Sequence, residues 1–207
     1  MVTVLVNGLP GAGKTTLARA LARELGLPLF SKDSVKETLA DNLASARPAG
    51  CTPREWSRIL GVAAGETLWT LLAEARGRAV LESPLLAHLR PVVTAGLRRA
   101  GVTEVHEVWC EVPLELARRR FAERTADRHA IHPERSGLDG DWELWARGAE
   151  PLGLGIVHRV DTTGPVDVPA LAALLRPHAR DRWDERDERG RRERPDETRG
   201  AAGSGSR

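Results

Sequence analysis

Apolar positions change their period repeatedly along the first 175 residues. The β-branched run Val2-Thr-Val-Leu-Val6 reads as a buried strand. A glycine-rich turn follows. Leu17, Ala20, Leu21 and Leu25 then recur at helical spacing, and Gly26 stops them. Leu27-Pro-Leu-Phe30 reads as a second strand with its proline at the entry. Ser34 and Glu37 stand at capping-box spacing and predict a helix from Ser34 to about Leu43. Ser45 to Cys51 reads as a loop. Thr52 and Glu55 repeat the capping box, with Pro53 at the first helical position. Trp56, Ile59, Leu60, Ala63, Leu68, Leu71, Leu72 and Ala75 are expected to line one face of the long helix that follows.

Arg78–Glu82 reads as a third strand, and Leu86, Leu89, Val93 and Leu97 as a helix ended by Gly101. Glu104–Glu111 reads as a fourth strand, and Pro113 opens a helix through Leu116 and Phe121. Arg124 to Gly153 is polar and poorly periodic, with Trp142 and Trp145 near its end. Gly155–Val160 reads as the fifth strand. Asp167 is expected to cap a last helix that buries Leu171, Leu174 and Leu175. Strands alternating with helices imply an α/β fold: a mostly parallel five-stranded sheet between two helical layers. Ligands bind such sheets beyond the carboxyl ends of the strands. The stretches to inspect are therefore Asn7–Thr15, Ser31–Lys36, Glu82–Leu85, Glu111–Pro113 and Asp161–Thr163.

The chain has 207 residues, 41% hydrophobic and 29% charged, enough for one globular domain with a tail. Residues 1–176 are expected to form that domain. From Pro177 to Arg207 apolar residues nearly vanish and Trp183 is the only large one, so 177–207 is expected to be disordered. The net charge of +2 is too balanced for a surface given over to nucleic acid. Cys51 and Cys110 alone make neither a disulfide scaffold nor a four-cysteine zinc site. No run approaches the roughly 18 apolar residues of a membrane span, and the start lacks the basic region of a signal peptide. A cytoplasmic location is expected, with no membrane partner; the oligomeric state is left open. Of 31 basic residues only Lys14, Lys32 and Lys36 are lysine. A lysine kept against such a bias suggests a need for a compact, flexible point charge rather than a planar fork.

Gly8-Leu-Pro-Gly-Ala-Gly-Lys-Thr15 fits G-x-x-x-x-G-K-[ST] between a strand and a helix. Glycines let successive N–H groups turn inward onto phosphate oxygens, and the helix end adds positive potential. Gly8, Pro10, Gly11, Ala12, Gly13, Lys14, Thr15 and Thr16 are the expected ATP-binding residues. Lys14 is to reach the β- and γ-phosphates, and the Thr15 hydroxyl to bind Mg²⁺. Asp33 and Lys36 share a helix face after the second strand. Asp33 is suited to take the proton of an acceptor hydroxyl, or simply to cap a helix; Lys36 is suited to neutralise developing charge, or to be a solvated lysine. Glu82 ends the third strand, where a carboxylate supports Mg²⁺ through water or closes a turn. Asp161, Thr162 and Thr163 end the fifth, the neighbourhood of a base pocket or merely a turn. Arg120, Arg124 and Arg128 recur every four residues and are the candidate lid arginines. His129 and His132, without a third ligand at matching spacing, are expected to form hydrogen bonds in the lid or substrate loop.

With these residues in hand, the chain resembles the small P-loop kinases related to chloramphenicol phosphotransferase, zeta toxins, gluconate kinase and the kinase domain of bacteriophage polynucleotide kinase. Many bacterial members carry the label "AAA family ATPase". The resemblance runs from Val2 to Leu175 and is strongest in GLPGAGKTT and LFSKDSVKE. VLES at Val80–Ser83, ERTADRHAIH at Glu123–His132 and VDTTGPVDV at Val160–Val168 add to it. It implies the P-loop NTPase fold of the nucleoside-kinase type and an ATP–Mg²⁺ phosphotransferase. It also implies Asp33 as the acceptor-activating base and Lys36 where the polynucleotide kinase has a transition-state arginine. A ring-forming AAA+ motor would need a strand ending in Asp-Glu, whereas this chain has Leu81-Glu82-Ser83.

Three functions follow. The leading expectation is transfer of the ATP γ-phosphate to a hydroxyl of a small molecule. The second is phosphorylation of nucleic-acid 5′-hydroxyl ends, gripped by Arg47, Arg54, Arg58 and Arg118–Arg120. The third is a nucleotide-dependent regulator that docks a protein through Trp56, Trp69 or the tail.

Overall fold

Residues 2–124, 129–132 and 139–176 are described in a computed structural model. The strands are β1 (Thr3–Asn7), β2 (Leu29–Ser31), β3 (Ala79–Glu82), β4 (Val105–Glu111) and β5 (Ile156–Asp161). The helices are α1 (Lys14–Leu25), α2 (Lys32–Asn42), α3 (Pro53–Glu74), α4 (Arg90–Arg99), α5 (Leu114–Glu123), α6 (Asp139–Arg147) and α7 (Val168–Leu175). The strands form one sheet in the order β2-β3-β1-β4-β5, with every pairing parallel. β1 therefore lies at the centre, where the chain turns outward in both directions. That is the place at which an open α/β sheet leaves a crevice.

Alternation along β1 builds both layers. Val4 and Val6 point into a cluster with Leu17 and Leu21 of α1 and with Leu171 and Leu175 of α7. Leu5 points the other way, into a cluster with Leu68 and Leu72 of α3 and Val93 and Leu97 of α4. The fold is thus a three-layer α/β/α sandwich. Among the described residues, no helix is long and apolar enough to cross a membrane.

Two caps behave as their spacing predicts. The Thr52 hydroxyl accepts from the Glu55 N–H at 3.2 Å, and the Thr52 N–H donates back to the Glu55 carboxylate at 2.9 Å. Asp167 Oδ1 accepts from the Ala170 N–H at 3.0 Å at the start of α7. Other expectations need correction. α2 opens at Lys32 with Ser31 as its N-cap, because β2 runs into the helix without a loop. Ser34 and Glu37 therefore lie inside the helix and form no capping box. On α3 the buried face is Ser57, Leu60, Ala64, Leu68, Trp69 and Leu72; Ile59 and Ala63 lie outside it and are exposed. Leu174 is exposed as well. The segment before α4 is a 3₁₀ turn, Ala87–Leu89, so Leu86 and Leu89 precede the helix. α6 forms where no helix was expected. Trp142 and Trp145 pack edge-on against Phe121 of α5, with ring centroids 5.5 and 6.0 Å away. This tertiary burial offsets a weak local pattern.

Candidate active site

The site begins where β1 ends. Gly8, Gly11 and Gly13 all have positive φ. Gly11 is required twice over: φ is +80°, and a Cβ there would lie 2.1 Å from the Ala117 carbonyl oxygen of α5. Gly13 is the left-handed N-cap of α1, so the loop runs into the helix with its first N–H groups turned toward the loop's concave side.

Lys14 is the first residue of α1 and is buried. Its Nζ donates to the Leu9 carbonyl at 2.8 Å. Burial lowers its pKa below the ordinary 10.5, against the opposing pull of Glu82, Cys110 and Asp33; Arg124 adds to the lowering. The Cys110 thiol beneath the loop is pushed up to about 12 by burial, which makes it an unreactive core group.

Glu82 is buried at the end of β3 and joins two elements. Its Oε1 accepts from the Thr15 hydroxyl at 3.2 Å, and its Oε2 from the Ser31 hydroxyl at 2.6 Å. Ser31 lies in the Ser31–Lys36 stretch marked for inspection, but no role of its own was read from the sequence. Asp33 stands in the first turn of α2, one residue past the first helical position, so helix capping does not account for it. Lys36 is buried one turn on and donates to Ser57 Oγ of α3 at 2.7 Å. Lys14, Thr15, Asp33, Lys36 and Glu82 all line one cleft of about 730 Å³, together with Lys32, Arg124, His129, His132 and Trp145.

A neighbouring cavity of about 330 Å³ shares Gly13 and Arg124 with the cleft and is walled by Thr16, Leu17, Thr162, Pro165 and Val166. Arg120 lines this cavity. Its guanidinium donates to the Thr162 and Thr163 carbonyls at 2.8 and 2.7 Å, fixing the loop after β5. Arg124, at the end of α5, faces both cavities. Arg128 lies outside the described residues. Asp161 is committed to its own turn: Oδ1 accepts from the Thr163 N–H at 2.8 Å, which holds its carboxyl below the ordinary range. His129 bonds Asp41 at 2.9 Å and His132 bonds Glu37 at 2.8 Å, tying the 129–132 segment to α2.

Beneath the loop lies a polar network that the sequence reading missed. Asn7 Nδ2 donates to the Leu85 carbonyl at 2.7 Å and to Glu107 Oε1 at 2.9 Å. Its Oδ1 accepts from the Gly8 and Leu85 N–H groups, both at 2.8 Å. Glu107 also accepts from the Leu152 and Gly153 N–H groups at 2.9 Å. One asparagine thus fixes the start of the phosphate loop against the turn after β3. The signals were an asparagine just before the loop glycine and an acidic residue, Glu107, in the buried interior of a strand.

A family profile described as AAA domain (AAA_33) matches residues 3–139, about two thirds of the chain. The chain belongs to this AAA-domain family. In fold this AAA-domain protein is similar to a crystal structure of a candidate kinase from Chloroflexus aurantiacus J-10-fl. The two are 32% identical with a TM-score of 0.72, over 86% of this chain and 97% of that one. A gluconokinase from Sinorhizobium meliloti 1021 shares the fold at 19% identity and a TM-score of 0.54, over 89% and 97% of the two chains. A cytidylate kinase from Pyrobaculum aerophilum is 64% identical over 31 residues, which is 15% of this chain. The chain thus covers only 17% of the length of that curated relative. Together these make it a P-loop NTPase with the fold of small kinases.

Proposed function

We propose that this AAA-domain protein is an ATP-dependent phosphotransferase that moves the γ-phosphate to a hydroxyl of a small molecule. One observation carries the reading: a single cleft is lined by the phosphate loop and by a carboxylate, Asp33, that no helix cap claims. The loop's N–H groups and Lys14 bind the β- and γ-phosphates. The base and ribose occupy the neighbouring cavity, whose rim Arg120 holds in place. Arg124, between the two cavities, reaches the phosphates.

The acceptor enters beside Asp33. Its oxygen attacks the γ-phosphorus as the bond to the bridging β–γ oxygen breaks, and that electron pair leaves on ADP. Asp33 takes the hydroxyl proton. Lys36, held by Ser57, places a positive charge along the same helix face. Thr15 and Glu82 fit a hard divalent cation, because both present oxygen atoms 3.2 Å apart at the phosphate end of the cleft. There they would hold Mg²⁺, Thr15 directly and Glu82 through water; when bound it neutralises phosphate charge.

A small acceptor is favoured over a nucleic-acid end. Arg47, Arg54, Arg58, Arg118 and Arg119 are absent from the described cleft lining. Docking a protein through Trp69 is disfavoured, since that ring is buried on α3 against Gly96 of α4. The test is an ADP-release screen with and without acceptor hydroxyl compounds, read with product mass. The expected result is acceptor-dependent ADP release with one phosphate added to the acceptor. Acceptor-independent hydrolysis alone would contradict it.

A further inference from the structure

We infer that His132 binds the acceptor: oriented by Glu37, its ring turns the Nδ1 lone pair into the cleft, where it accepts a hydrogen bond from a second hydroxyl or amine of the acceptor. This role rests on the phosphotransferase reading above and belongs to the same cleft.

Two histidines three positions apart line that cleft and meet α2 in the same way. His129 Nε2 bonds Asp41 at 2.9 Å, and His132 Nε2 bonds Glu37 at 2.8 Å. A carboxylate accepts, so each Nε2 carries a proton and donates. The second nitrogens differ. His129 Nδ1 accepts from the Ile131 N–H at 3.0 Å, so both nitrogens of that ring are committed to holding the segment. His132 Nδ1 has no partner among the described residues. The His132 side chain is 8% exposed. Its Nδ1 is not sealed off, because the buried side-chain polar atom left unpaired among the described residues is Ser83 Oγ. The small part of the ring that stays open is the part that lines the cleft.

A ring fixed at Nε2 and open at Nδ1 suits recognition. In the neutral imidazole the proton held at Nε2 by Glu37 leaves a lone pair at Nδ1. An acceptor that displaces water from Nδ1 without supplying a donor leaves that nitrogen unpaired, so one that supplies a donor is selected. Asp33 and Glu37 both line the cleft, four residues apart on α2, about 6 Å along the helix. A molecule whose reacting hydroxyl meets Asp33 therefore spans about one helical turn to meet His132. The contact is made before and during phosphoryl transfer alike, so it belongs to KM and not to kcat.

The test uses the full chain, with cytidine, glucose, gluconate and kanamycin as acceptor probes, and two variants that split the ring. His132→Gln places an amide N–H where Nε2 was, keeps the Glu37 contact and removes Nδ1. His132→Asn places an amide oxygen where Nδ1 was and gives up Glu37. An ATP–Mg²⁺-induced rise in melting temperature first shows that each protein is folded. For the probe turned over best, His132→Gln is expected to raise KM about tenfold with kcat nearly unchanged. His132→Asn is expected to keep KM within about threefold of wild type. The reverse pattern would make His132 a tie between its segment and α2 and overturn the inference. Unchanged KM in both variants, or an equal rise in both, overturns it too. A fall in kcat of about a hundredfold or more in His132→Gln would make His132 the proton acceptor and likewise overturn it. Should one variant misfold, the other decides alone. Wild type that shows no ATP-induced rise, or no probe-dependent ADP release, overturns the phosphotransferase reading and this role with it; release with the wrong variant pattern overturns this role alone.

Discussion

Asn7→Asp isolates the network under the phosphate loop, because aspartate has the shape of asparagine and leaves packing intact. Its carboxylate still accepts from the Gly8 and Leu85 N–H groups. What changes is the other oxygen, which now faces the Leu85 carbonyl at 2.7 Å and Glu107 Oε1 at 2.9 Å. Two buried hydrogen bonds become acceptor–acceptor contacts. Each partner left unpaired costs about 1–3 kcal/mol, so the loss is about 2–6 kcal/mol. A domain of this size loses roughly 2–4 °C per kcal/mol, so the melting temperature is expected to fall by roughly 4–24 °C at pH 8.

The loss should also depend on pH. Two carboxylates this close raise the pKa of the pair, because both cannot ionise cheaply. A raised folded pKa lends stability below the ordinary carboxylate range and loses it as pH rises through the folded value. Asn7→Asp is therefore expected to be less damaging at pH 5 than at pH 8, each compared with wild type at the same pH. Urea melts at the two pH values measure this. A loss below about 1 kcal/mol, or the same loss at both pH values, would refute the reasoning.

Gly13→Ala meets only the cost of its left-handed backbone, about 1–2 kcal/mol, since the nearest atom to a new Cβ is 3.8 Å away. Gly11→Ala adds a clash with the Ala117 carbonyl and should cost about 1–3 kcal/mol more by chemical denaturation; equal losses would mean that α5 does not clamp the loop. Bound phosphate should raise the lowered pKa of Lys14, so ATP–Mg²⁺ binding is expected to take up protons at alkaline pH and weaken as pH rises through that value toward 10.5. Calorimetry in two buffers reads the uptake, and Lys14→Ala should abolish it together with the ATP-induced rise in melting temperature. His158 is held below its ordinary 6.5 by burial and by His106, whose ring nitrogen is 3.0 Å away. The unfolded chain therefore binds the proton first, and this pair's contribution to stability is lost as pH falls below 6.5. Melting temperatures from pH 7 to 5 should fall less steeply for His158→Gln.

Much of the fold was legible because its signals are local. β1, the glycine loop and α1 form one uninterrupted pattern of strand, turn and helix, and the Thr52 and Asp167 caps are set by residues three apart. Errors arose where tertiary packing decides. α6 carries a weak apolar pattern, and its tryptophans are held by tertiary packing, against each other and against Phe121 of α5. The face of α3 is turned so that Ser57 can receive the Lys36 ammonium, a contact across 21 positions. The cleft residues nearest the motif were readable because they follow strand ends at one edge of the sheet. Asn7 and Glu107 were not, since their pairing spans 100 residues and neither carries a motif. Arg120 was read by helical spacing alone, which does not reveal that the Thr162 and Thr163 carbonyls bind it.

The central claim is that Asp33 performs chemistry in a cleft that binds ATP. Asp33→Asn tests it most directly, with a nucleotide titration beside an acceptor-dependent turnover assay. The amide keeps the side chain's shape in the first turn of α2 but cannot accept the hydroxyl proton. Near-normal ATP–Mg²⁺ affinity with phosphoryl transfer reduced by about 10²–10⁴-fold is the expected result. Full turnover in the variant would contradict the account, and equal loss of affinity and rate would assign Asp33 to the nucleotide–metal complex instead.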